Sequence, residues 1–186
     1  MFEAHDEIIK NRAVIKDDWT VLRLDEGEAA ATVLVPVGKI IVPLAVWQTQ
    51  RAVLEPRLPD IGVWLAGDER PQDLADDVQK FAVIAINFPK FTDGRGYSIA
   101  YNLRARLAYK GELRAIGDVL RDQLFAMQRV GFDAYATRPD RNIHDALKGL
   151  TVFSETYQGS WDEKAPLFRR HQRALQSPDS DIGFGI

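Results

Sequence analysis

Hydrophobic positions along this chain fall into short apolar runs separated by stretches of helical period. Phe81–Phe88 is apolar at both alternating positions, the pattern of a strand covered on both faces of a sheet. Leu113–Ile116 and Phe132–Ala136 repeat such a run, each preceded by an apolar stripe and a glycine. Ile99, Leu103 and Leu107 make the first stripe, up to Gly111; Leu120, Leu124 and Met127 make the second, up to Gly131. A helix that stops at glycine and leads at once into a strand, twice in succession, predicts a β-α-β-α-β core of parallel strands with right-handed crossovers.

Upstream, Trp19–Leu24 reads as the first strand. Ala29–Val37 and Gly38–Pro43 carry β-branched residues interrupted by two prolines, which suits an edge or irregular segment. Leu44, Trp47, Arg51 and Leu54 predict a short helix stopped by Pro56 and Pro59. Ile61–Ala66 is a compact strand, and Pro71 opens a helix over Asp73–Lys80. Downstream, Ile143, Leu147 and Leu150 predict a helix over Asn142–Phe153. The expected fold is α/β: a mostly parallel open sheet of about five or six strands, built of βα units with helices on both faces. One domain is expected at residues 19–156. A loosely held polar arm (1–18) precedes it, and an aromatic C-terminal arm (157–176) and a flexible tail (177–186) follow.

Composition narrows the function. The 186 residues carry a net charge of −3 with no sustained basic block, so there is no electrostatic footprint for nucleic acid. Cysteine is absent, which excludes disulfides, thiolate metal sites and cysteine nucleophiles. His5, His144 and His171 lie far apart with no carboxylate at ligand spacing, so no metal site is expected. The first residues lack the pattern of a secretion signal, and no apolar run approaches the roughly 18 residues that span a bilayer. A cytoplasmic protein without membrane contact is expected.

Candidate chemistry gathers beyond the carboxyl ends of the strands, where loops converge and the next helix points its N-terminus. Lys90, Asp93, Arg95 and Ser98 follow the strand ending at Phe88; Asp118 and Arg121 follow Ile116; Thr137, Arg138 and Arg141 follow Ala136. The turn Asp93-Gly94-Arg95-Gly96 can bend sharply and present backbone N–H groups and a guanidinium to an anion. Gly94, Arg95, Gly96, Ser98, Arg121 and Arg138 are therefore the anion-binding candidates, with Arg95 the foremost. The plainer alternative is a tight turn with a helix cap at Ser98, and Asp118 reads equally as the N-cap of a helix over 119–130. Lys90 and Asp93, with Asp118 third, are the candidates for acid–base catalysis. Arg104, Arg106 and Arg114 read as solvated or paired.

The stretches Asn87-Phe88-Pro89-Lys90-Phe91-Thr92-Asp93-Gly94-Arg95-Gly96-Tyr97-Ser98 and Gly111-Glu112-Leu113-Arg114-Ala115-Ile116-Gly117-Asp118-Val119-Leu120-Arg121-Asp122-Gln123 resemble a bacterial family of unknown function. Its members are often encoded beside assimilatory sulfite reductase and phosphoadenylyl-sulfate reductase and are loosely labelled oxidoreductases of sulfite reduction. The resemblance covers roughly residues 15–158 and implies sulfur assimilation as the process, without catalytic residues to carry over. Without cysteine or a flavin or haem motif, no cofactor of the chain's own is expected, and electrons would need a borrowed one. Two readings follow. One is an accessory protein of sulfate and sulfite reduction that binds an oxyanion or a reductase. The alternative is a small α/β enzyme acting on a phosphorylated or sulfur-containing anion. A homodimer is expected, with Tyr157, Trp161 and Phe168 covering a partner surface.

Overall fold

The structure, a computed structural model, describes residues 1–153 and 156–169. Its strands are β1 (Phe2–Ala4), β2 (Glu7–Lys10), β3 (Ala13–Lys16), β4 (Thr20–Leu22), β5 (Ile40–Pro43), β6 (Ile61–Leu65), β7 (Val83–Phe88), β8 (Glu112–Gly117) and β9 (Ala134–Tyr135). They form one mixed sheet in the order β1-β4-β5-β6-β7-β8-β9-β2-β3, curled into a half-barrel. Its helices are α1 (Leu44–Leu54), α2 (Arg95–Ala105), α3 (Arg121–Val130) and α4 (Ile143–Leu147), with 3-10 segments at Glu55–Asp60, Pro71–Lys80 and Lys148–Thr151. The α/β class holds. The sheet is larger than the five or six strands expected, and mixed, because β1, β2 and β3 add antiparallel pairs at its two edges.

From β4 to β9 the six strands are parallel neighbours in sequence order. A right-handed crossover repeated without reversal of strand order returns every helix to the same side. Accordingly Trp47 of α1, Leu103 of α2, Leu124 of α3 and Ala146 of α4 all share one core with Ile84, Ile86 and Leu113 of the sheet. Helices on both faces, as expected from the run Phe81–Phe88, are not found among the described residues. Val83, Ala85 and Ile116 point to the concave side, where Trp19, Ile8, Val21, Ile41 and Ala136 close over them without a helix. A strand apolar on both faces needs only two covered faces, and here the second cover is strand and tryptophan.

Ile8, one part of that cover, comes from residues 1–18, which were expected to be a loose arm. Ile8 and Ile9 explain the difference: one joins the concave cluster and its neighbour the helical core, so the apolar pair is a strand buried on both sides. Ala4 pairs with Thr20 at one edge of the parallel strands, and Lys10 pairs with Ala134 at the other. Only His5 and Asp6 separate these strands, a span of at most about 11 Å, so the two edges must stand close together. The exposed edge of an open sheet is thereby reduced.

A buried guanidinium fixes the closure. Arg114, 1% exposed on β8, donates from Nη1 to both carboxylate oxygens of Asp17 at 3.0 and 2.9 Å, and from Nε to Glu112 at 2.7 Å. Lys10 reaches Glu112 from β2 at 2.7 Å. Arg104 plays a similar part outside the sheet, donating to the carbonyls of Tyr109, Gly111 and Gly131 and to Asp133. Both arginines are paired, as expected, and both are buried.

Smaller departures have local causes. Residues 29–37 form no strand; they cross as a loop held by Gln50 Nε2 on the carbonyls of Ala30 and Val33. The helix read over Asp73–Lys80 is a 3-10 segment. Helix α4 is short, capped by Asn142 Oδ1, which accepts from His144 N and Asp145 N. The C-terminal arm is described to Arg169, where Ser160 Oγ donates to the Arg129 carbonyl at 2.7 Å; the tail at 177–186 lies outside the described residues.

Removing one member of a buried ion pair strands the other and costs about 3–5 kcal/mol. Asp17→Ala is therefore expected to lower the urea midpoint of unfolding by that equivalent. The surface change Asp122→Ala, which breaks no ion pair among the described residues, should shift it by no more than about 0.5 kcal/mol.

Candidate functional site

The carboxyl ends of β6 to β9 carry four consecutive loops, and the sequence-predicted residues sit on the loops after β7, β8 and β9 or at the starts of the helices α2 and α3 that follow them. Lys90 is exposed and its ammonium makes no ion pair among the described residues. Asp93 and Arg95 face each other within one turn: the guanidinium donates from Nε and Nη2 to the two carboxylate oxygens at 3.0 and 2.7 Å, and Arg95 N donates to Asp93 at 3.1 Å. The Arg95 guanidinium beside Asp93 holds its carboxyl down to about 2. A group so acidic is a poor proton acceptor at neutral pH.

The two glycines of this turn differ: Gly94 is exposed, with nothing within 4 Å of a β-carbon built on it, and Gly96 is buried. Gly94 is the N-cap of α2 with ordinary right-handed angles. Gly96 lies buried, and a β-carbon there would meet the Phe88 ring at 2.6 Å, so the glycine lets α2 settle on β7. Ser98 does not cap the helix, which begins three residues earlier, and is exposed in its second turn.

Asp118 is not the N-cap of α3 either, because that position falls on Leu120. It joins three loops instead: Oδ2 accepts from Phe91 N at 2.8 Å and Oδ1 accepts from Arg138 Nη1 at 3.2 Å. Arg138 in turn grips Asp140 at 2.9 and 2.8 Å. Gln123, which sequence reasoning passed over, completes the join: its Oε1 accepts from Leu120 N and its Nε2 donates to the Phe91 carbonyl. The available signal was a glutamine at the third helical position, where a side chain reaches back to the start of a helix.

Arg121 pairs with Asp145 at 3.0 Å and lines a cleft of about 520 Å³ between the loops after β8 and β9. Thr137 and Arg141 line it too, as does Asp122. Thr137 is 5% exposed, and its hydroxyl has no hydrogen-bond partner among the described residues. Arg141 is the cleft's loosest cation, 65% exposed and 3.7 Å from Asp140. Lys90, Asp93, Arg95 and Asp118 do not line the cleft. The structure thus brings Arg121 to a ligand-sized cavity, ties Asp118 to Arg138 beside it, and leaves the Asp93–Arg95 turn apart.

Among the described residues no group of three histidine, aspartate or glutamate side chains could hold a metal ion, and no helix is long and apolar enough to cross a membrane. Fold and rim together define an α/β half-barrel protein whose strand-end loops are laced by ion pairs. Residues 62–168, more than half of the chain, match a family described as bacterial protein of unknown function (DUF934), and the chain belongs to that family. No curated protein matches it.

The Asp93 carboxyl offers a direct check. Its folded-state value is depressed, so its pairing stabilises the protein above the unfolded value near 3.9 and is lost as pH falls toward 2. Carbon-detected NMR titration is expected to give a midpoint near 2 in the parent. In Arg95→Ala it should rise toward the unfolded value near 3.9 without reaching it, because the backbone N–H of residue 95 still donates to the carboxylate.

Proposed function

We propose that this is an accessory protein of assimilatory sulfate and sulfite reduction, which binds an oxyanion or a reductase at the strand-end rim and performs no catalysis of its own. The observation that carries the binding role is the mutual neutralisation of the rim. Asp93 is held by Arg95 and Asp118 by Arg138, while Lys90 stands alone, so the three acid–base candidates converge on no cavity. The process rests on the resemblance of the two quoted stretches. Sulfite reductase or phosphoadenylyl-sulfate reductase is the protein partner this reading implies.

The second reading, a small enzyme acting on an anionic metabolite, is favoured by one feature only, the cleft of about 520 Å³, which lies within the size range of small-molecule sites. Its reacting groups would then have to be Thr137, Asp122 and Arg141 rather than Lys90, Asp93 and Asp118. A homodimer belongs to the accessory reading. Phe153, Tyr157 and Phe168 are each at least half exposed on one stretch of chain, and an apolar surface of that kind suits a second copy.

A strain lacking the gene is expected to grow poorly with sulfate as sole sulfur source and normally with cysteine. Equal growth on sulfate and cysteine would remove the process from consideration. Light scattering of the purified protein at micromolar concentration is expected to give twice the 21.0 kDa chain mass; a value of one chain would refute the dimer.

A further inference from the structure

At the opposite end of β9 from the strand-end loops lies a second cavity, of about 330 Å³, and three independent features meet in it. The first is Gln128, whose Oε1 is buried without a hydrogen-bond partner. A primary amide carries an acceptor and a donor side by side, the complement of an adjacent donor and acceptor on a heterocycle edge such as that of adenine.

The second feature is Arg12. Asn11 and Arg12 form the turn between β2 and β3 with φ of 50° and 64°. Asparagine tolerates such angles, but the second position of this turn normally takes glycine, since a side chain there is strained. The turn is pinned to the cavity by Asn11 N, which donates to the Asp133 carbonyl at 2.9 Å. The guanidinium held there makes no ion pair or hydrogen bond among the described residues. Asp133 and Asp162, the carboxylates lining the cavity, are committed to Arg104 and Arg129. Arg12, exposed at the mouth of the cavity, is therefore its unpaired cation and is open to an anion.

The third feature is the wall. Phe132 and Tyr135 are buried beneath the cavity with Leu150, and Trp161 stands at its rim, 38% exposed. Phe132 and Tyr135, 2% and 1% exposed, give an apolar floor, while Trp161, with the Arg104 guanidinium 5.3 Å from its ring centre on one side, has its other face for the flat side of an aromatic ligand. We propose that this cavity binds a purine mononucleotide, with the base edge on the Gln128 amide, the ring against the aromatic wall and the phosphate on Arg12. Its size falls within the range of small-ligand sites. The site is separate from the rim and independent of the role in sulfur reduction.

The test is calorimetric titration of the full chain with adenosine monophosphate, adenosine and inorganic phosphate. The nucleotide is expected to bind about tenfold or more tightly than adenosine, because only it engages the guanidinium. Gln128→Leu should weaken the nucleotide by about tenfold or more, and Arg12→Gly should abolish its advantage over adenosine. Thermal unfolding of the unliganded variants supplies a second readout that a purely structural role would move the other way. Replacing an orphaned amide and relieving a strained turn should each raise the midpoint. Failure of both adenosine monophosphate and adenosine to bind, binding that both variants retain, or a lowered midpoint in both variants would each overturn the proposal. Arg12→Gly lies on an exposed turn, so the test survives if Gln128→Leu does not fold.

Discussion

A guanidinium cannot shed its charge inside a protein, so every arginine taken out of water dictates what must surround it. Arg114 is such a residue, and the concave side of the sheet is arranged about it. Asp17 and Glu112 satisfy it from two directions, and Asp17 comes from the segment between β3 and β4, 97 residues away in sequence. The same segment delivers Trp19 onto Val83, Ala85 and Ile116. Ion pair and tryptophan together replace the second helical layer that a flat parallel sheet would require. The half-barrel closes because the N-terminal strands have an electrostatic anchor to reach for.

The rim obeys the same logic with weaker terms. Asp93 with Arg95, Asp118 with Arg138 and Asp140, and Arg121 with Asp145 are exposed or half-exposed pairs, and such contacts add little stability individually. Their effect is geometric. Asp118 and Gln123 tie the loops after β7 and β8 into one surface, with Arg138 bringing in the loop after β9. This leaves Thr137 and Arg141 facing a cleft, while the charges most visible in the sequence are occupied with each other.

Much of the helical and strand grammar was legible. Gly131, with φ of 111°, ends α3 as the helix-glycine-strand pattern implied, and Asn142 caps α4 just where its apolar period begins. Elements built from local periodicity were readable because their cause is local. Ile8 and Ile9 were not, since a two-residue apolar pair acquires meaning only when both faces of a strand are covered by distant parts of the chain. The pairing inside the Asp93–Arg95 turn was hidden for a related reason. Arg95 lies two residues from Asp93, and sequence spacing does not reveal whether a guanidinium turns outward to a ligand or back to its neighbour. Arg114 read as solvated or paired, and its place in the apolar run Leu113–Ile116 was the mark of the buried, paired alternative.

The two-residue link between β1 and β2 has a consequence for how the chain assembles. The units from β5 to β9 pair neighbours close in sequence and can form by local steps. Closure by the N-terminal strands depends on contacts such as Asp17 with Arg114, spanning half the chain. High sequence separation makes such contacts slow to form. The docking of β2 on β9 and of Asp17 on Arg114 is therefore expected to be a late step, although these N-terminal residues are made before their partners. β2 can pair with β3 and β1 with β4 at once, but until β5, β8 and β9 exist these local pairs lack their place in the sheet, and Ile8, Ile9 and Trp19 lack their distant cover.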